Sequence, residues 1–91
     1  MSTLYGDIRR ERQRQDDKWG KQRHPFDTWI TVLTEEVGEA AERSLKGDRA
    51  GLRKELIEVA AVAVAAIEHL DSGDPETEPW SLERREAEAQ R

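Results

Sequence analysis

Cysteine is absent from this chain, which excludes disulfides, thiolate metal sites and cysteine nucleophiles together. Aromatic residues are scarce at 5%, and there are few alternations of Thr, Val and aromatic residues of the kind a half-buried strand shows. The longest apolar run, Val59 to Ile67, covers nine residues, whereas a membrane span needs about 20. The N-terminal region lacks the apolar core of a secretory leader, so the cytoplasm is the expected compartment and a membrane is not an expected partner. Acidic residues outnumber basic ones, 20 to 15, for a formal net charge of −5. That balance gives no general attraction to a nucleic-acid polymer. A P-loop, a GxGxxG turn and a Ser-His-Asp order are all missing.

What remains is a helical composition. Ala, Glu, Leu and Arg dominate, all strong helix formers. The 91 residues allow one domain with a modest core, of a size often completed by oligomerisation. The expected fold is all-α, a helical hairpin plus a leading helix, forming a bundle completed by oligomerisation. Leu4 to about Lys18 reads as a first helix, too polar to stand alone. Gly20 to Pro25 is a loop by its Gly and Pro. Asp27 or Thr28 is the expected cap of a second helix reaching about Lys46, with Gly47 just past its end. Asp48 then caps a third helix, about Arg49 to Leu70, closed by the Asp-Ser-Gly-Asp-Pro segment from Asp71. Residues 1–72 thus form the helical domain. Residues 73–91 are an extension, a short helix or a mobile segment, with Trp80 placed to staple it to the body or to another subunit. Beyond Val59 the third helix is apolar all round, which predicts a central position covered on both sides and at least a dimer.

Four glutamates break this pattern. Glu36 falls inside the apolar arc of Trp29, Val32, Leu33, Val37 and Ala40, with Glu39 at its edge. Glu55 falls among Leu52, Val59, Val62 and Ala66, and Glu58 lies between Val62 and Ala65. Each pair has i,i+3 spacing, so both carboxylates leave one helix face. Glu39 and Glu55 each lie eight residues from Gly47, so a hairpin turning there brings both pairs to one level. Desolvation and mutual repulsion make four such carboxylates costly unless a cation compensates. All-oxygen ligation suits Mg²⁺ or Mn²⁺. Two plainer readings stand beside this one. With 13 glutamates in the chain, chance pairs on a helix surface are expected, as at Glu76, Glu78, Glu83 and Glu86. A buried glutamate–arginine network with Arg43 or Arg53 would need no metal.

The segment EEVGEA at Glu35 to Ala40 and the segment ELIE at Glu55 to Glu58 resemble the MazG-type all-α NTP pyrophosphohydrolases. That family carries ExxE, a spacer of variable length and ExxD. The stretch RQDDKWG at Arg14 to Gly20 is similar to small MazG-like proteins of bacteria and phages, and the resemblance covers about Arg9 to Leu70. It implies hydrolysis of a nucleoside triphosphate, NTP or dNTP, to monophosphate and pyrophosphate, in a nucleotide-pool house-cleaning role. It also implies Mg²⁺, with Mn²⁺ as the alternative, held by Glu36, Glu39, Glu55 and Glu58. Such ions bridge phosphate oxygens, neutralise developing charge and acidify an attacking water. The family's final Asp is Glu58 here, one methylene longer. Two other functions stay open: a catalytically degenerate nucleotide sensor, and a non-enzymatic helical interaction module.

Glu35, beside the ligand pair, is the expected water-orienting base. Arg43 and Lys54 neighbour the acids and could meet phosphate oxygens, although surface ion pairing explains them as well. Lys18 is a weaker phosphate candidate. Gln15 and Trp19 share one face of the first helix and could meet a base by hydrogen bonding and stacking; for Trp19, anchoring that helix is an equal reading. Trp29 is in phase with the core. His24 has no evident partner. His69 lies too far along its helix to share the metal, and its C-terminal position favours a protonated ring.

Overall fold

The computed structural model describes residues 3–77. These form three helices, α1 (Leu4–Trp19), α2 (Phe26–Leu45) and α3 (Arg49–Asp71), followed by one 3₁₀ turn at Pro75–Thr77. Among the described residues there is no strand, and no helix is long and apolar enough to cross a membrane. The all-α expectation therefore holds. The tail readings, including that for Trp80, lie outside the described residues.

Local chemistry sets the helix ends. The Thr3 hydroxyl accepts from the Gly6 backbone N–H at 2.9 Å, opening α1, and Gly20 closes it at φ 72. At α2 the expected cap is corrected. Neither Asp27 nor Thr28 caps it, because the helix already begins at Phe26. Pro25 stands at the cap position with φ −57 and ψ 151 and makes no side-chain cap bond. Its carbonyl accepts from the N–H groups of Thr28 and Trp29 at 3.0 and 3.2 Å. Proline has no N–H of its own to leave unpaired there, and Asp27 instead puts negative charge in the first turn, where the helix dipole favours it. Gly47, at φ 68, makes the left-handed turn between α2 and α3. Asp48 caps α3 as expected, its carboxylate accepting from the Gly51 N–H at 2.9 Å.

α3 is the element on which the other two lie. Its partner in the hairpin is α2, and the apolar core is small: Trp29, Ala40, Ala61 and Val62. α1 docks largely through polar groups. Arg12 bonds Glu68 on α3 at 3.1 Å, and Arg53 on α3 bonds Asp7 at 2.7 Å, while Gln15 is buried at 6% exposure. The expectation that α3 would be covered on both sides is not met within one chain. Val64, Ile67 and Leu70 stay 38%, 55% and 45% exposed, because α1 and α2 occupy only part of its circumference.

The helical glycines separate two effects. A Cβ on Gly51 would run into the Asp48 carboxylate, whereas one on Gly38 would meet nothing within 4 Å. Gly38→Ala is therefore expected to stabilise by about 1 kcal/mol through helix propensity. Gly51→Ala is expected to gain nothing, since a lost cap costs about the same amount. Thermal melting followed by circular dichroism compares the two directly.

Candidate metal centre and groove

The hairpin brings both glutamate pairs together. α2 presents Glu36 and Glu39, α3 presents Glu55 and Glu58, and one carboxylate oxygen from each lies within 4.8 Å of the others. Glu55 is only 9% exposed, Glu36 and Glu58 are half-buried, and Glu39 is exposed. Two oxygens, Glu36 Oε2 and Glu55 Oε2, are buried with no hydrogen-bond partner. They are the only such side-chain atoms among the described residues.

The electrostatics follow from the crowding. Burial, and then the charges of Glu39 and Glu55, raise the Glu36 carboxyl above its ordinary 4.5. Glu55 is raised by its hydrogen bond with Glu58, by burial and by the Glu58 charge. Arginine offers little relief. Arg43 Nε is 4.0 Å from Glu55 Oε1 and also pairs with Asp48 at 3.4 Å. Arg53 is turned away to Asp7, so it forms no network with these acids. Four hard oxygen donors, two of them orphaned, fit a divalent cation such as Mg²⁺ or Mn²⁺.

Beside the acids runs a groove of ≈ 900 Å³ between α1 and the hairpin. Glu36 and Glu58 line one part of it, and Gln15, Trp19, His24 and Trp29 line others. Trp19 is 54% exposed, with Lys18 Nζ 4.7 Å and the Arg14 guanidinium 5.9 Å from its ring centroid. Trp29 is buried, as its phase indicates. Lys54 does not reach the groove; it lines a shallow depression with Asp7, Arg53 and Ile57. Arg43 stays with Asp48 and the edge of Glu55. Glu35 is exposed, and it belongs neither to the carboxylate cluster nor to the groove lining.

Helix α1 also contributes residues that sequence reasoning missed. Glu11 lines the groove and holds Arg14 through bonds of 2.8 and 2.6 Å. Arg14 in turn depresses the Glu11 carboxyl, and its own guanidinium is raised by Glu11 and further by the charges of Glu58 and Glu36. The signal for Glu11 is a stripe at i,i+4: Glu11, Gln15 and Trp19 share one helix face.

His69 requires a correction. It is 4% exposed, and its Nδ1 accepts from the Trp29 indole N–H at 2.9 Å and from the His24 backbone N–H at 3.3 Å. Both partners are donors only, so the ring is neutral with its proton on Nε2, rather than protonated by the helix end. His24 also has partners. It sits edge-on to Trp29, centroids 5.0 Å apart, and its Nε2 is 2.9 Å from Gln22 Oε1.

Raised folded-state values for Glu36 and Glu55 mean that the folded protein binds these protons more tightly than the unfolded chain. Their contribution is fully present below about the ordinary 4.5 and is lost as pH rises through the raised values. In EDTA, Tm is therefore expected to fall as pH rises above the ordinary carboxyl value of 4.5. Glu55→Gln is expected to raise Tm at pH 8 and to flatten the profile. Each pKa unit of separation corresponds to about 1.4 kcal/mol, and melts at several pH values measure it. Comparison with protein-family models, with curated proteins and with solved structures finds no match.

Proposed function

We propose that this protein is a divalent-metal-dependent nucleoside triphosphate pyrophosphohydrolase, cleaving NTP or dNTP to monophosphate and pyrophosphate, of the MazG-like type that its ExxE and ExxE segments resemble. The observation that carries this reading is the pair of orphaned buried oxygens on Glu36 and Glu55 within a four-carboxylate cluster that opens on the groove. Glu36, Glu39, Glu55 and Glu58 would hold the ion, and bound Mg²⁺ or Mn²⁺ supplies charge neutralisation at phosphate oxygens and a more acidic water.

The chain's own groups support the rest. A triphosphate is strongly anionic, so uncompensated carboxylates would repel it, and the cation requirement follows. Arg14 and Lys21 line the groove and suit phosphate oxygens. Trp19 lines the groove at 54% exposure, where an indole suits stacking on a base, and Gln15 lies one turn away. Lys54 lines the other depression and Glu35 is exposed outside the groove, so neither serves this reaction.

Glu58 in place of the family's Asp favours a second reading, a nucleotide sensor that binds metal and nucleotide without releasing pyrophosphate. The deciding experiment is pyrophosphate release from a panel of canonical-base and modified NTPs and dNTPs with Mg²⁺, Mn²⁺ or EDTA. Metal-dependent release is expected, with turnover lost in Glu36→Gln and Glu55→Gln at unchanged helicity. Full activity in either variant would sink the assignment, and metal binding without release would favour the sensor.

The exposed stripe on α3 supports a homo-oligomer, at least a dimer. Among the described residues the buried apolar core is four side chains, Trp29, Ala40, Ala61 and Val62, which is slight for three helices. Sedimentation is expected to give a dimer or larger species, and Ile67→Lys a smaller one with a lower Tm. A monomeric wild type at micromolar concentration would remove this part of the reading.

A further inference from the structure

The far wall of the groove is assembled from three separate stretches of chain: the loop 20–25, the start of α2 and the end of α3. One side chain touches all three. His69, from the last turn of α3, receives the Trp29 indole N–H and the His24 backbone N–H on Nδ1. Its Nε2–H donates to Asp74 Oδ2 at 2.9 Å. Asp74 in turn takes both arms of Arg23, at 2.6 and 2.7 Å, which returns the network to the loop. The turn that carries Asp74 is itself tied down. Ser72 Oγ donates to the His69 carbonyl at 2.6 Å, and Thr77, 2% exposed, donates through Oγ1 to the Asp74 carbonyl at 2.7 Å.

We propose that His69, held as the neutral Nε2–H tautomer, is a positioning residue that keeps the groove's far wall in its ligand-ready form. Nδ1 carries one lone pair, and two N–H groups from different segments converge on it. Replacing the ring by an apolar side chain leaves the buried indole N–H without a partner and frees the loop amide. Through Nδ1 and Nε2 the one ring joins Trp29 on α2 to Asp74 in the 72–77 turn. The consequence for binding is a matter of preorganisation. His24 and Trp29 stand edge-on at 5.0 Å, and a ligand entering beside them need not order that wall itself. The ligand half of the proposal rests on the groove being the nucleotide's site.

The test separates the wall from its use. His69→Leu removes both roles of the ring, whereas His69→Gln offers one acceptor and one donor in a similar place. Amide exchange of His24 is expected to quicken by about tenfold in the Leu variant and to return toward wild type in the Gln variant. Nitrogen NMR of the wild-type ring should show an unprotonated Nδ1 and a protonated Nε2. With an α,β-imido triphosphate and Mg²⁺, Kd is expected to rise by about tenfold in the Leu variant, and KM to follow with kcat within about twofold. Unchanged exchange, or a ring protonated on Nδ1, would overturn the proposal. Faster exchange at unchanged Kd would overturn its ligand half. Faster exchange in a protein whose wild type binds no nucleotide would instead defeat the pyrophosphohydrolase reading and leave the positioned wall standing. Should His69→Leu not fold, Trp29→Phe deletes a single donor, keeps an aromatic ring and permits the same measurements.

Discussion

Packing two helices together normally places apolar side chains at the seam, and here the middle of the seam is given to four carboxylates. Counted outward from Gly47, the buried Ala40 lies on the turn side of the acids, and Trp29, Ala61 and Val62 lie beyond them. The core is thus interrupted at the level where a helical hairpin would gain most from apolar burial. A carboxylate at such a place loses hydration and meets like charge, and both effects appear in the raised values of Glu36 and Glu55. Protonation is one escape from that cost and a divalent cation is another. The first operates at low pH, and the second leaves the acids charged at neutral pH.

The contrast with the other buried polar groups sharpens the point. Gln15 donates to Glu11 at 3.2 Å, both ring nitrogens of His69 are engaged, and the Thr77 hydroxyl is bonded. Buried polar side chains in folded proteins are nearly always satisfied, and this fold follows the rule away from the acids. Only Glu36 and Glu55 leave a buried oxygen without a partner among the described residues. The exception therefore belongs to one location, and a general looseness of packing does not account for it.

Periodicity made the fold and the acidic cluster legible. The out-of-phase glutamates, and their equal distances from Gly47, follow from helix geometry that any amphipathic sequence obeys. Asp48 and Gly47 were readable because caps and left-handed turns use few residue types. The start of α2 is not legible, because an acidic residue and a threonine just inside a helix look like caps, while Pro25 performs the task through its carbonyl alone. Glu35 sits next to Glu36 in sequence, yet one step along a helix turns a side chain by about 100°, and it ends up exposed. His69 was unreadable for another reason. Its partners, Trp29 and His24, lie 40 and 45 residues away, and no local rule connects them.

The groove and the exposed apolar stripe occupy different sides of α3. Glu58, Val62, Ala65 and His69 face the groove, and Leu56, Val64, Ile67 and Leu70 remain exposed. At about 100° per residue, Val64 stands roughly opposite Val62, and Ile67 roughly opposite Ala65. A second copy covering the stripe would therefore leave the groove open, and a ligand in the groove would leave the stripe free. α1 is tied to α3 by the Arg12–Glu68 and Arg53–Asp7 ion pairs, and exposed ion pairs weaken as salt rises. The apolar side of α3 is not screened by salt, and excluded salts strengthen its burial. One helix thus carries two surfaces with opposite physical character, one polar and weakened by salt, the other apolar and strengthened by it.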